Sequence, residues 1–177
     1  MTDHTIDTIL QKYTTEFPVP VMDIAKDLGL KIFLTKDFPD NKAGEIIKNG
    51  ATYYVHLNAD YQYASSRFTL AHEIAHLRLH RPYLDKEKEI EDFVGHTFTL
   101  AHRTEKNQAK DKREIEADRL AAEILMPEQS FIRIWNQKET VEEVAKTFDV
   151  SPSVAETRAR ILSERLAVKD VRPAEKY

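Results

Sequence analysis

Residues 67–80 of the chain read RFTLAHEIAHLRLH, in which apolar side chains recur at helical spacing. His72 and His76 are four residues apart, so both imidazoles lie on one face of a helix and can reach one metal ion. Zinc accepts neutral imidazole nitrogen, and catalytic zinc sites have three protein ligands plus a water. Glu73 stays beside that water and can act as its general base, so the segment predicts a metallopeptidase.

The alternative interpretation of this segment is an ordinary helix that carries two histidines without a ligand. Apolar residues surround the pattern on several sides of the helix, at positions 68, 70, 71, 74, 75, 77 and 79. Burying two imidazoles among them with no role would cost free energy, which favours the metal site. Ser65 and Ser66 come just before the apolar run and are the candidate N-caps of this helix.

A third ligand has to be a histidine or a carboxylate, because the chain contains no cysteine. Residues 112–126 are predicted to form a second helix, and small alanines on one face of it would allow a close approach to the motif helix. Glu114 shares that face and is preferred to Glu116, which points toward a more mixed one. Asp118, one turn beyond Glu114, could accept a hydrogen bond from a ligand imidazole and fix its tautomer. The alternative for Glu114 and Asp118 is a solvated, charged helix end.

Other side chains are candidates for contacting substrate or stabilising an oxyanion. His80 follows His76 by one turn and could support a ligand, bind substrate, or be an ordinary helix-end histidine favoured by the helix dipole. Tyr83 is a candidate oxyanion donor. His96 and His102, in the charged insertion, are candidates for the same role on equal terms with Tyr83, although most such residues are simply exposed.

The composition limits the class of protein. The 177 residues suffice for one full domain, 41% of them are apolar and 32% are charged. The formal net charge of −4 provides no overall attraction to DNA or to anionic membranes. With no cysteine, no apolar stretch of membrane-spanning length and no secretory pattern in the first ten residues, the sequence predicts a cytoplasmic protein.

Hydrophobic periodicity predicts an α+β fold whose first elements are two helices and three strands, at residues 5–13, 21–28, 31–35, 43–47 and 52–57. Asn49-Gly50 separates the last two strands and is a strong hairpin signal. A small antiparallel sheet is therefore expected to pack on the motif helix. Residues 85–112 are dense in charge and are interpreted as an active-site flap or a disordered insertion.

Three more helices are predicted in the last third of the chain, at residues 131–135, 141–148 and 152–166. Ser151 is the expected N-cap of the last one. The last two helices look like a helix-turn-helix, with Arg158, Arg160 and Arg165 on or near the second of them. Glutamates interleave with these arginines, so the helix pair is either a DNA-binding element or, more in keeping with the charge pattern, a packing element.

Two segments together resemble the ImmA/IrrE family of metallo-endopeptidases. The first is residues 67–76 followed by His80, and the second is residues 114–127, which read EIEADRLAAEILMP. The family usually has Asn or Asp where Asp118 stands, and Leu-Leu-Met-Pro where this chain has Ile-Leu-Met-Pro. Residues 143–161 are also similar to the family's C-terminal helices, so the resemblance covers residues 19–162.

The resemblance implies a zincin-like core over residues 1–128 that includes the charged insertion at 85–112. A C-terminal helical subdomain of helix-turn-helix-like appearance, residues 129–177, would pack on that core. The implied centre is a zinc ion held by His72, His76 and Glu114. Glu73 would be the catalytic residue.

The resemblance also implies a biological role, because family members cleave or inactivate helix-turn-helix repressors of the Xre type. Such repressors control phage, mobile-element and stress-response genes, and some family members form toxin–antitoxin-like pairs with them. Two other functions stay open from the sequence. The chain could be a non-catalytic zinc-holding partner or toxin component that binds a regulator, or a DNA-binding regulator that uses its C-terminal helices.

Overall fold

The computed structural model describes residues 2–36, 38, 43–61, 63–85, 90–91 and 108–166. In chain order its elements are α1 (Asp3–Lys12), α2 (Val21–Asp27), β1 (Lys31–Thr35), β2 (Gly44–Asn49), β3 (Thr52–Asn58), α3 (Tyr63–Leu79), α4 (Arg81–Leu84), β4 (Ile90–Glu91), α5 (Gln108–Leu125), α6 (Glu128–Gln137), α7 (Val141–Phe148) and α8 (Pro152–Leu166). The predicted α+β class is confirmed. Much of the charged insertion lies outside the described residues, so its interpretation as a flap or a disordered segment stays a prediction.

The strands form one small mixed sheet in the order β1-β3-β2-β4. The predicted hairpin is confirmed, because β2 and β3 pair antiparallel and Gly50 occupies the turn with φ +63°, a conformation that favours glycine. The expectation of an antiparallel sheet is wrong for β1, which pairs parallel with β3. In the sheet, β1 therefore lies next to β3 and not next to β2, the strand that follows it in the chain.

The inner face of the sheet packs on α3. Along β3, Tyr53, Val55 and Leu57 are buried and alternate with half-buried side chains, as the sequence pattern predicted. Gly44 lets β2 approach α3 closely, because a Cβ at this position would lie only 2.6 Å from Cγ2 of Thr69. The sheet therefore supports the helix that carries the histidine motif.

The helix α3 begins earlier than expected, at Tyr63, and α5 begins at Gln108 rather than near residue 112. The prediction that Ser65 or Ser66 caps α3 is therefore wrong, because both serines lie inside its first turns. The Ser65 carbonyl there accepts a hydrogen bond from the Thr69 hydroxyl, 3.0 Å away. A serine at the start of an apolar run favours an N-cap only weakly when the residues before it can also adopt helical geometry.

Local capping defines the last two helices, whose predicted bounds are confirmed. Thr140 and Glu143 form a reciprocal capping box at the start of α7, and Asp149 ends that helix in the left-handed region at φ 53°. The Ser151 hydroxyl accepts a hydrogen bond from the Val154 amide at 3.4 Å, as expected of the N-cap of α8.

Two buried arginines connect these C-terminal helices to the rest of the structure. Arg67 on α3 donates hydrogen bonds to the carbonyls of Phe148 and Asp149 at the end of α7, at 3.5 and 3.4 Å. Arg158 on α8 is 1% exposed, and its Nε donates to the Met126 carbonyl at 3.1 Å, at the end of α5. Cationic side chains are favoured at helix C-termini, so each arginine caps one helix from another.

The outer end of the sheet is connected to the residue at which the charged insertion begins. Asp85 accepts a hydrogen bond from the Tyr53 hydroxyl at 2.5 Å and pairs with Lys48 Nζ at 2.8 Å. These contacts lower the pKa of Asp85, chiefly through the hydrogen bond from Lys48. The chain is thus attached to β2 and β3 just after α4.

In the described part of the chain, no helix is both long enough and apolar enough to cross a lipid bilayer. Buried apolar residues from α1 through α8 belong to one continuous core. The division of the chain at residue 128 stays a prediction.

A forked ion pair attaches α1 to α3 and gives a test of the packing. Arg78 Nε and Nη2 contact the two carboxylate oxygens of Asp7 at 2.6 and 2.9 Å. Both side chains are partly exposed, so Asp7→Asn should lower the free energy of unfolding by no more than about 1 kcal/mol at pH 7.

This effect should depend on pH in a defined direction. The hydrogen bond from Arg78 lowers the pKa of Asp7, so the stabilisation is present above the unfolded-state pKa of about 3.9 and is lost as the pH falls through the lower folded-state pKa. Denaturant unfolding of both proteins at pH 7 and at successively lower pH measures the difference. Asp23→Asn, which breaks the exposed pair with Lys26, is the control and should change stability less. A difference that does not shrink toward low pH would contradict this role of Asp7.

Candidate metal centre

Two helices supply the candidate centre. The helix α3 presents His72, Glu73 and His76, which are at most 3% exposed, and α5 presents Glu114 from the opposite side. Ala117 and Ala121, on nearly the same face of α5 as Glu114, are completely buried, as the close approach of the two helices requires. The predicted second helix therefore does face the motif helix.

Three potential ligand atoms form a small triangle. His72 Nε2 lies 2.9 Å from His76 Nε2 and 3.2 Å from Glu114 Oε2, and His76 Nε2 lies 3.5 Å from the same oxygen. In a tetrahedral site with bonds of about 2.0–2.1 Å, any two ligand atoms are about 3.3 Å apart. The observed separations bracket that value, so the triangle has the size that a zinc-like ion needs.

The protons on the two imidazoles are directed away from this triangle. His72 Nδ1 lies 2.8 Å from Asp118 Oδ1, and an ionised carboxylate can only accept, so the ring carries its proton on Nδ1. Its Nε2 then has a lone pair that points into the triangle. Asp118 thus lies where the sequence placed it, behind a ligand imidazole.

His76 is supported by a chain of two hydrogen bonds that runs through His80 to Glu116. His80 Nδ1 lies 3.1 Å from His76 Nδ1, and His80 Nε2 lies 3.2 Å from Glu116 Oε2. Burial lowers the pKa of His80, which favours the neutral ring, and the hydrogen bond from His80 lowers the pKa of Glu116, which favours its carboxylate. A neutral His80 that donates from Nε2 has an accepting Nδ1, so His76 donates from Nδ1 and keeps the lone pair on Nε2.

The donor chemistry fits a cation. Two imidazole lone pairs and one carboxylate oxygen converge, and a group of hydrogen-bond acceptors facing one another is stabilised by a positive charge between them. Two nitrogens and one oxygen are ligands that zinc uses in catalytic sites. His72, His76 and Glu114 would hold such an ion.

The remaining candidates differ in what the structure shows of them. His80, 8% exposed, is connected to His76 rather than placed at an open surface. The Tyr83 ring lies under the Arg113 guanidinium, 3.7 Å from the ring centroid, so its side chain is held against α5. His96 and His102 lie outside the described residues. A role for any of these side chains as oxyanion donor stays a prediction.

Glu116, which the sequence placed on a more mixed face of its helix, has a partner that sequence reasoning did not assign to it. Glu114 and Glu116 point about 200° apart around α5. With Glu114 directed toward α3, no contact between Glu116 and a residue of the histidine motif was expected. The partner exists because α3 ends at Leu79 and His80 begins the turn into α4, which brings its ring to a second side of α5. The available signal was the spacing of His76 and His80, which puts the second ring one turn behind the first.

Comparison with known proteins agrees with this geometry. A family model for peptidase M78, described as the IrrE N-terminal-like domain, matches residues 25–160. The chain belongs to this family. The resemblance to ImmA/IrrE proteins seen in the sequence is thereby confirmed, and the family supports a metallopeptidase-type protein.

One solved structure with a similar fold is described as a Mycobacterium tuberculosis transcriptional regulator. The TM-score is 0.62 at 13% sequence identity, and the match covers 99% of this chain and 49% of that one. The chain thus spans about half the length of that regulator, and at this identity the likeness shows the fold alone. No curated protein matches the chain significantly in sequence.

Zinc binding should stabilise the folded protein. Because an ion held by His72, His76 and Glu114 binds the folded chain only, zinc at about one hundred times its dissociation constant should add about 2.7 kcal/mol of stability. Thermal unfolding of chelator-treated protein with and without zinc measures this as a rise in Tm. The rise should be absent in His76→Ala and present in the control His4→Ala, whose histidine is exposed on α1.

Metal analysis of the purified proteins provides a direct check. Wild type should contain about one zinc per chain, and His72→Ala and Glu114→Ala should contain much less. An equal zinc content in wild type and Glu114→Ala would show that the third ligand is a different residue.

Proposed function

We propose that the chain is a zinc-dependent metallo-endopeptidase. The observation that supports this best is the triangle of potential ligand atoms on His72, His76 and Glu114, with the buried Glu73 next to His72 in the chain. Zinc is the proposed ion because the donor set contains imidazole and carboxylate without thiolate, and this combination recurs in catalytic zinc sites. Membership of the M78 peptidases supports the same reaction class.

Glu73 is the proposed general base. A zinc ion, when bound, supplies Lewis acidity that lowers the pKa of a water molecule and polarises the peptide carbonyl. Glu73 takes a proton from the attacking water and returns it to the amine that leaves when the peptide bond breaks. Glu73 is completely buried on α3 and directly follows His72 in the chain, which supports this role.

The proposed substrate is a helix-turn-helix repressor of the Xre type. Support comes from the ImmA/IrrE family, whose members act on such regulators in phage, mobile-element, stress-response or toxin–antitoxin settings. The similar solved structure is that of a transcriptional regulator, which is compatible with a regulatory context but indicates no substrate. A cytoplasmic location, where such repressors act, is part of the proposal.

Direct DNA binding has little support from the C-terminal helices. Arg158 is buried and faces Glu123, Arg160 Nη1 lies 3.6 Å from Glu164, and Arg165 contacts Glu128. Each of the three arginines that suggested a recognition helix therefore has a carboxylate partner within the chain. In addition, much of α8 is buried by α5 and α7, so α7 and α8 form a packing element of the fold.

The protein should accordingly not bind duplex DNA. Because the three arginines of α8 are paired within the chain and the formal net charge is −4, an electrophoretic shift assay should show no complex even at low salt. A complex whose affinity falls steeply as salt rises would contradict this prediction and restore the DNA-binding function.

Glu73→Gln should retain zinc and lose proteolysis. The amide keeps the size of the side chain but cannot accept the proton, so cleavage should fall by at least about 10²- to 10⁴-fold. Incubation with a purified Xre-type repressor, followed by mass spectrometry of the fragments, measures cleavage, and metal analysis measures retention. Glu142→Gln, an exposed substitution of the same kind on α7, is the control and should cleave like wild type.

The same assay separates an enzyme from a binding partner. Cleavage by wild type that persists undiminished in Glu73→Gln would overturn the mechanism. A stable one-to-one complex of zinc-loaded wild type with an intact repressor would instead support the non-catalytic partner or toxin component.

A further inference from the structure

We propose that His80 and Glu116 are positioning residues for His76, and that they fix its Nδ1 proton so that Nε2 presents a lone pair to the metal. This inference rests on the proposed metal-dependent function, because it concerns the support of the same centre. It extends the site beyond its three ligands and the general base to a chain of hydrogen bonds from α5 through the turn after α3.

The geometry of the chain is continuous. Glu116 Oε2 lies 3.2 Å from His80 Nε2, and His80 Nδ1 lies 3.1 Å from His76 Nδ1. The other nitrogen of the His76 ring, Nε2, belongs to the triangle of potential ligand atoms. His80 therefore contacts an acceptor with one nitrogen and a ligand histidine with the other.

Only one direction of donation satisfies every member when both rings are neutral. The Glu116 carboxylate has no proton, so it accepts from His80 Nε2, and His80 Nδ1 is left as an acceptor. His76 must then donate from Nδ1. The opposite tautomer of His76 would place two unprotonated nitrogens against each other and would put a proton on the atom that faces the metal.

The two ligand histidines are thus supported in different ways from the same helix. Asp118 on α5 accepts directly from His72, whereas Glu116 on α5 reaches His76 through the interposed ring of His80. The burial of His80 strengthens this interpretation, because a ring that is 8% exposed would otherwise leave polar atoms without solvent. Loss of a residue that orients a ligand typically weakens metal binding by about 10- to 100-fold.

Two substitutions of His80 separate its two contacts. Asn carries its polar atoms at the distance of Nδ1 from the backbone, so the carbonyl of His80→Asn can accept from His76 without help from Glu116. Gln carries its polar atoms at the distance of Nε2, so His80→Gln keeps a group near Glu116 and loses the contact with His76. We expect a zinc dissociation constant within a few-fold of wild type for His80→Asn and about 10- to 100-fold weaker for His80→Gln.

A second set of variants tests Glu116, whose side chain is 42% exposed. Glu116→Ala should weaken zinc binding by up to about 10-fold, and Glu116→Gln should weaken it less, because the amide oxygen can still accept from His80. Lys112→Ala is the matched control, since Lys112 Nζ lies 3.6 Å from the other carboxylate oxygen of Glu116 and does not belong to the chain of hydrogen bonds. It should bind zinc like wild type.

The decisive result is the coupling between the two positions. Glu116→Ala should have no further effect in the His80→Asn background, because Asn at that position no longer transmits the carboxylate's influence. Competition with a chromophoric chelator measures zinc affinity in every variant. Thermal unfolding of the metal-free proteins provides the second readout. If His80 had only a structural role, its substitution would lower Tm, and His80→Asn and His80→Gln would not differ in zinc affinity in the predicted order.

Each outcome has a distinct meaning. A weak Gln variant, a near-normal Asn variant and coupled effects of the two positions would support the positioning chain. Unchanged zinc affinity in His80→Gln and Glu116→Ala, with a normal wild-type site, would overturn the positioning chain and leave the proposed function standing. Wild-type protein that holds no zinc would overturn the proposed function itself.

Discussion

The packing of α5 against α3 is the constraint on which the candidate centre depends. One helix contributes the two imidazoles and the buried Glu73, and the other contributes Glu114 together with the carboxylates of Glu116 and Asp118 behind the histidines. A helix rises by about 1.5 Å per residue, so a slip of α5 by one residue would remove Glu114 from the triangle. The buried alanines Ala117 and Ala121 permit the close contact that fixes this alignment.

Other parts of the fold hold that alignment in place. The sheet supports α3 from one side, with Gly44 allowing contact close to Thr69. Arg67 and Arg158 attach the C-terminal helices to α3 and to the end of α5, so movement of either helix would disturb a buried hydrogen bond. A metal site benefits from such rigid support, because ligand geometry has to be held within a fraction of an ångström.

The sequence predicted those parts of the structure that local spacing determines. His72, Glu73 and His76 lie four residues apart or fewer, and Glu114 could be chosen because its helix face also carried small residues. The parallel pairing of β1 could not be predicted in this way, because strand order depends on the whole chain. Neither could the buried roles of Arg67 and Arg158, since an isolated arginine in a sequence is expected to be exposed.

The pairing of His80 with Glu116 was also beyond local reasoning. Helical spacing places His80 one turn beyond His76, but it does not show which residue of α5 lies against that ring at the point where the chain turns into α4. The Glu116 side chain contacts the His80 ring from a side of α5 that the helical projection did not direct toward α3. Side chains near helix ends are therefore the positions at which periodicity is least informative.

The contacts of Asp85 with Lys48 and Tyr53 hold the chain to the sheet well before the second helix of the candidate centre begins. The chain is held to the sheet at residue 85, and α5 begins at Gln108, six residues before Glu114. Both ends of the intervening stretch are thus held, one by the sheet and the other by the packing of α5 on α3, and Ile90 and Glu91 within it pair with β2. The two helices of the candidate centre are therefore held together by packing against each other and against the sheet, and not only by the chain that connects them.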